Sequence, residues 1–134
     1  MLRTIIIDDE AHIRDTLSKL LSRHCQQVKV VGEASGVTQG IKVIQILHPD
    51  LVFLDINLGD GTAFDLIHSL NAIEFKIIFI SAGDKGNIQA LRLSSMEYLL
   101  KPINPEELKS AVGRTDETDQ EDLLLQLKAL EANV

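Results

Sequence analysis

Tryptophan is absent from this chain of 134 residues, tyrosine and cysteine occur once each, and proline occurs three times. A lone Cys25 cannot close an internal disulfide, which excludes a cystine-stapled scaffold and agrees with a reducing compartment; no chemistry is assigned to it. No apolar run approaches the ~20 residues that span a bilayer, so no membrane segment is expected. The N-terminus lacks a basic region followed by a long apolar stretch, which leaves the cytoplasm as the expected location. Positive charge is scarce, with 13 Lys and Arg against 20 Asp and Glu and a formal net charge of −7. A chain without a basic face is not expected to bind nucleic acid itself. His12, His24, His48 and His68 share no metal-ligand spacing, so none is taken as a site residue.

What the sequence does hold is a series of short apolar runs, at Thr4 to Ile7, Val28 to Val31, Leu51 to Leu54, Ile77 to Ile80 and Tyr98 to Leu100. Rich in Ile, Val and Leu and without polar alternation, they predict five strands of a parallel sheet covered on both faces. Between them lie helical spacings: Ile13, Leu17, Leu20 and Leu21; Val37, Ile41, Ile44 and Leu47; Phe64, Leu66, Ile67 and Leu70; Ile88, Leu91 and Leu93. A last helix begins at Asn104-Pro105-Glu106-Glu107, with Asn104 as N-cap. Strands alternating with helix-length connectors define the fold class as α/β, a doubly wound parallel sheet with helices on both faces.

Residues 1–115 account for this domain, and residues 116–134 form an acidic linker with a leucine-rich helical tail. Leu123, Leu127, Leu130 and Val134 have the 4-3-4 spacing of a dimer seam, but too few repeats for a coiled coil. A homodimer helix, an interdomain linker and a helix packed on its own domain all stay open.

In an open parallel sheet, ligands bind beyond the carboxyl ends of the strands. Here the first run ends in Asp8-Asp9, the third in Asp55, the fourth in Ser81 and the fifth in Lys101. Taken singly, a strand-terminal Asp is as readily the N-cap of the next helix. Together they put three carboxylates, a hydroxyl and an ammonium at one edge. Crowded carboxylates call for a cation, and hard oxygen ligands at an open site suit Mg²⁺. Lys101 can pair with Asp55 and then with phosphoryl oxygens, and a carboxylate nucleophile would form an aspartyl-phosphate.

The segments Ile5-Ile6-Ile7-Asp8-Asp9-Glu10, Asp50-Leu51-Val52-Phe53-Leu54-Asp55, Ser81-Ala82 and Tyr98-Leu99-Leu100-Lys101-Pro102 resemble the response-regulator receiver family of two-component systems. The likeness runs from about Leu2 to Val112, and the Tyr-Leu-Leu-Lys-Pro wording is also similar to receivers joined to LytTR-type DNA-binding domains. The resemblance implies a flavodoxin-like strand order 2-1-3-4-5, and Asp55 as phosphoacceptor in a Mg²⁺-dependent reaction. It makes Asp9 a direct Mg²⁺ ligand, Asp8 a ligand through water, and Asp55 and the Asn57 backbone carbonyl the remaining protein ligands. Ser81, Ala82 and Lys101 would hold the phosphoryl group, Ser81 and Tyr98 would form the switch, and the Lys101-Pro102 peptide would be cis. A sensor histidine kinase would be the donor, with an output domain or partner protein as receiver of the signal; the chain would be a switch, not an enzyme. The alternative is a phosphorylation-independent pseudo-receiver, whose usual sign is a missing acidic or Lys position; all are filled here. One departure concerns the loop after Asp55. The family commonly has Pro four positions on and Gly eight positions on, where this chain has Gly59 and Ala63. Gly59-Asp60-Gly61 lacks the following Lys-Ser/Thr of a phosphate-cradling loop.

Overall fold

The computed structural model describes residues 1–83 and 96–115. Their elements follow the order β1 (Leu2–Ile7), α1 (Ala11–His24), β2 (Val28–Ala34), α2 (Val37–Leu47), β3 (Leu51–Asp55), α3 (Ala63–Ser69), β4 (Lys76–Ser81), β5 (Tyr98–Leu100) and α4 (Pro105–Gly113). The five strands form one sheet in the order β2-β1-β3-β4-β5, with every neighbouring pair parallel. The connector with Ile88, Leu91 and Leu93, and the tail with Leu123, Leu127 and Leu130, lie outside the described residues. No helix among the described residues is long and apolar enough to cross a membrane.

Successive side chains of a strand point to opposite faces, and the core divides accordingly. Ile5, Ile7, Val52, Leu54, Ile77 and Phe79 pack on one face with Ile44 of α2 and Leu66 and Ile67 of α3. Ile6, Leu51, Phe53, Ile78 and Ile80 pack on the other with Leu17 and Leu21 of α1 and Leu108, Ala111 and Val112 of α4. Continuous apolar runs are what a strand buried on both sides requires. Cys25 is buried against the second cluster, and that burial pushes its thiol above the usual range, as befits a packing residue.

The edge strand departs from the sequence expectation. Instead of ending at Val31, β2 continues through Gly32 and Glu33 to Ala34, crossing a register shift opposite Thr4 and Ile5. It is only partly covered, so polar residues that would break a central strand are tolerated there. Leu70, expected within the third helix, is instead the residue that ends it. Asn104 caps α4 as expected, accepting from the backbone N–H groups of Glu106 (2.8 Å) and Glu107 (3.2 Å), with Pro105 in the first turn.

The loop after β3 takes its shape from glycine. Gly59 has φ +75°, which proline's ring forbids, so this loop follows another path from one with Pro at that place. Leu58 N–H donates to the Gly61 carbonyl (2.9 Å), and Ala63 N–H to that of Ile56 (2.8 Å), opening α3. Thr62 and Asp65 cap α3 reciprocally. Between Gly59 and Gly61, Asp60 turns away from the loop to the start of α2, where it accepts from Val37 N–H (2.8 Å) and Thr38 N–H (3.2 Å). These bonds hold its carboxyl below the usual carboxylate range. The N-cap position of α2 is Gly36, which has no side chain to cap with, and a Cβ there would stand 2.6 Å from Asp60 Oδ1. Asp60 is thus a cap supplied from another loop, and it occupies the place an anion would take at that helix end. Replacing it with Ala is expected to lower the urea midpoint of unfolding, because two helix-end N–H groups lose their acceptor; an unchanged midpoint would contradict this role.

Candidate functional site: an acidic edge with one lysine

The strand register assembles the site. Ile7 pairs with Leu54, Asp55 with Ile80 and Ser81 with Leu100, so Asp8, Asp55, Ser81 and Lys101 follow one another across the carboxyl edge of the sheet. Asp8, Asp9 and Asp55 each present an oxygen, and these atoms lie within 4.8 Å of one another. Asp8 and Asp55 are buried and Asp9 is exposed, so the cluster is closed beneath and open above. None of the three is an ordinary helix cap. Glu10 holds the N-cap position of α1 and Thr62 that of α3. Asp8 does fix the turn into α1, since its Oδ1 accepts from Glu10 N–H (2.8 Å).

Lys101 reaches into this cluster. Its Nζ stands 3.1 Å from Asp55 Oδ2, 3.1 Å from Asp8 Oδ2 and 2.8 Å from Glu10 Oε2. Burial works against the ammonium, but contacts with Glu10, Asp8 and Asp55 outweigh it and hold the Lys101 pKa above the ordinary lysine range. Lys101 thus pairs with three carboxylates among the described residues. The shortage shows at Asp8 Oδ2, which is buried and receives no aligned hydrogen bond although Lys101 is near. Asp55 carries the electrostatic consequence: burial first, and then the charge of Asp8, push its pKa up to about 6, while Lys101 and the Asn57 N–H pull it back. An acidic pocket with an unsatisfied buried oxygen and an exposed third ligand fits a hard divalent cation in its chemistry.

The other expected site residues surround this group. Asn57 is exposed immediately beyond β3, and its N–H bonds to the Asp55 carboxylate. Ser81 is buried at the end of β4, where its Oγ accepts from Gly83 N–H (3.2 Å); Ala82 is exposed beside it. The Lys101-Pro102 peptide is cis. Tyr98 pairs with Phe79 across β4 and β5 and is half-buried against the face that carries α2 and α3. At the same end of β5, Glu97 accepts two hydrogen bonds from Arg114, at 2.7 and 3.0 Å.

The response regulator receiver domain is the family whose model matches residues 4–113. The chain belongs to this family. An uncharacterized response regulatory protein of Vibrio parahaemolyticus is 39% identical over 132 residues, a match covering 97% of this chain and 54% of the relative. The sensory transduction protein LytT of Bacillus anthracis is 30% identical over 136 residues, covering 100% of this chain and 55% of that protein. Among solved structures, the response regulatory domain of protein mrkE from Klebsiella pneumoniae superposes with a TM-score of 0.72 at 25% identity, covering 87% of this chain and 96% of that one. The receiver spans about half the length of the curated relatives it matches.

Two residues of this receiver's site were not legible in its sequence. Glu10 meets Lys101 across 91 positions. Arg14 donates from Nη1 to the Asp8 carbonyl (2.6 Å) and from Nε to Glu33 (3.2 Å), bracing the loop that carries the acidic pair. The only local signal for Glu10 is that it directly follows Asp8-Asp9, and an acidic residue there reads equally well as the start of a helix.

Proposed function

We propose that this receiver accepts a phosphoryl group on Asp55 from a histidine kinase, in a reaction that requires Mg²⁺, and passes the change to an output domain or partner protein. The observation that carries the reading is the convergence of Asp8, Asp9 and Asp55 within 4.8 Å beneath the Lys101 ammonium. A pKa near 6 leaves Asp55 ionised for the most part at neutral pH and therefore nucleophilic. As an Asp55 oxygen bonds to phosphorus, the bond between phosphorus and the donor atom breaks and the donor leaves with that electron pair. Asp8, Asp9, Asp55 and the Asn57 carbonyl would hold Mg²⁺, which supplies charge neutralisation for the transferring group when bound. Lys101 would pair with one phosphoryl oxygen, while Ser81 and the Ala82 backbone N–H would donate to others. Ser81 and Tyr98 would form the switch, with β5 and α4 contributing to the output face. In this reading residues 1–115 are the receiver and residues 116–134 join it to an output domain or a second copy.

Incubation with acetyl phosphate and Mg²⁺ is expected to add one phosphoryl group, seen by intact mass. Chelating the metal should slow uptake about a hundredfold or more. Equal uptake in excess chelator would refute the metal assignment, and no uptake under either condition would leave a phosphorylation-independent interaction module.

A further inference from the structure

Glu10 stands where a side chain normally caps the helix behind it. As the N-cap residue of α1, it would be expected to accept from the first free N–H groups of that helix, yet its side chain makes no such bond. Its backbone carbonyl does the capping, accepting from Ile13 N–H (3.1 Å) and Arg14 N–H (3.2 Å). The carboxylate is left to reach across the site to Lys101, in the shortest of that lysine's three ion pairs. Unlike Asp8 and Asp55, it does so from the solvent side, with its side chain 46% exposed. It also stands outside the three-carboxylate cluster suited to a cation. A divalent ion that engages Asp8, Asp9 and Asp55 therefore leaves Glu10, of the four acidic residues described at this edge, still able to hold the ammonium.

We infer that Glu10 is a positioning residue that competes with the incoming phosphoryl group for Lys101, so that the ammonium must be drawn off Glu10 before it can bind a phosphoryl oxygen. This rests on the phosphoacceptor reading of Asp55. The competition is direct, since both rivals are anionic oxygens seeking the same Nζ. Losing an ion pair at this separation in a partly solvated site is worth a several-fold change in the affinity of an anion that replaces it.

The test uses the full chain with saturating Mg²⁺ and beryllium fluoride as the phosphoryl analogue, its binding followed by ¹⁹F NMR and titration calorimetry. Glu10→Gln is expected to bind beryllium fluoride about 3- to 10-fold more tightly than the wild type, with no gain in Mg²⁺ affinity. Glu10→Asp keeps the charge but falls about one methylene short of Lys101, and it too is expected to bind the analogue more tightly than the wild type. Neither variant removes a helix-capping side chain, so both should fold. Unchanged or weaker binding in Glu10→Gln overturns the inference. So does tighter binding in Glu10→Gln alone with Glu10→Asp at the wild-type value, because the charge and not the contact would then be responsible. If the wild type itself binds no beryllium fluoride with Mg²⁺ present, the phosphoacceptor reading fails first.

Discussion

Replacing Lys101 with methionine is expected to destabilise the metal-free protein by about 3 kcal/mol at pH 7 and to slow phosphoryl uptake about a hundredfold. The two effects share one cause. The Lys101 ammonium contacts Asp8, Asp55 and Glu10, so its loss leaves the buried carboxylates of Asp8 and Asp55 facing each other without the cation that both contact. Methionine keeps most of the volume and the apolar stem, so the loss reflects charge more than packing. The sign of the pH dependence follows. Without Lys101 the Asp55 pKa should rise further above its ordinary value, and the variant should regain stability as pH falls and the carboxyl protonates. Mg²⁺ should restore more stability to the variant than to the wild type. Urea titrations at pH 5 and pH 8, with and without Mg²⁺, measure all of this; a loss that is equal at both pH values would contradict it.

Asp55→Asn is expected to abolish uptake and, at the same time, to stabilise the metal-free fold. The native carboxyl is pushed up to about 6 from the ordinary 3.8, by burial and by Asp8. A raised carboxyl pKa means that the native state holds the proton more tightly than the unfolded chain. Wild-type stability therefore falls as pH rises from about 4 to about 6, and the full penalty remains above that window. A neutral amide removes the penalty. Allowing for the partner that Lys101 loses, the gain at pH 7 is about 1 to 2 kcal/mol, and it should vanish below pH 4. A variant less stable than the wild type at pH 7 without metal would show that Asp55 is not electrostatically frustrated. Uptake surviving the substitution would sink the phosphoacceptor assignment.

The parts of this molecule that were legible in its sequence are those determined by local pattern. Ile5 to Ile7, Leu51 to Leu54 and Ile77 to Ile80 announced themselves because central strands covered on both faces admit only apolar side chains. From the strands, the parallel topology and the shared edge followed, and with them the neighbourhood of Asp8, Asp9, Asp55, Ser81 and Lys101. The resemblance carried by the same segments supplied the family, which the match over residues 4–113 shows. What stayed hidden depends on distant partners. Gly32 and Glu33 read as a strand end because burial on one side cannot be seen in a single strand's wording. Asp60 reads only within the Gly59-Asp60-Gly61 loop, since the helix end it serves lies 23 residues earlier. Glu10 has no legible role beyond closing the Ile5 to Glu10 segment, because nothing near it shows that Lys101, 91 residues away, will arrive beside it.

The most direct test of the account locates the phosphoryl group chemically. An acyl phosphate on a carboxylate is reduced by borohydride to the alcohol, so protein treated with acetyl phosphate and Mg²⁺, then with borohydride, should carry homoserine in place of Asp55 in its peptide map. A modification at any other residue, or a stable phosphoryl group on a histidine with Asp55 unchanged, would contradict the account.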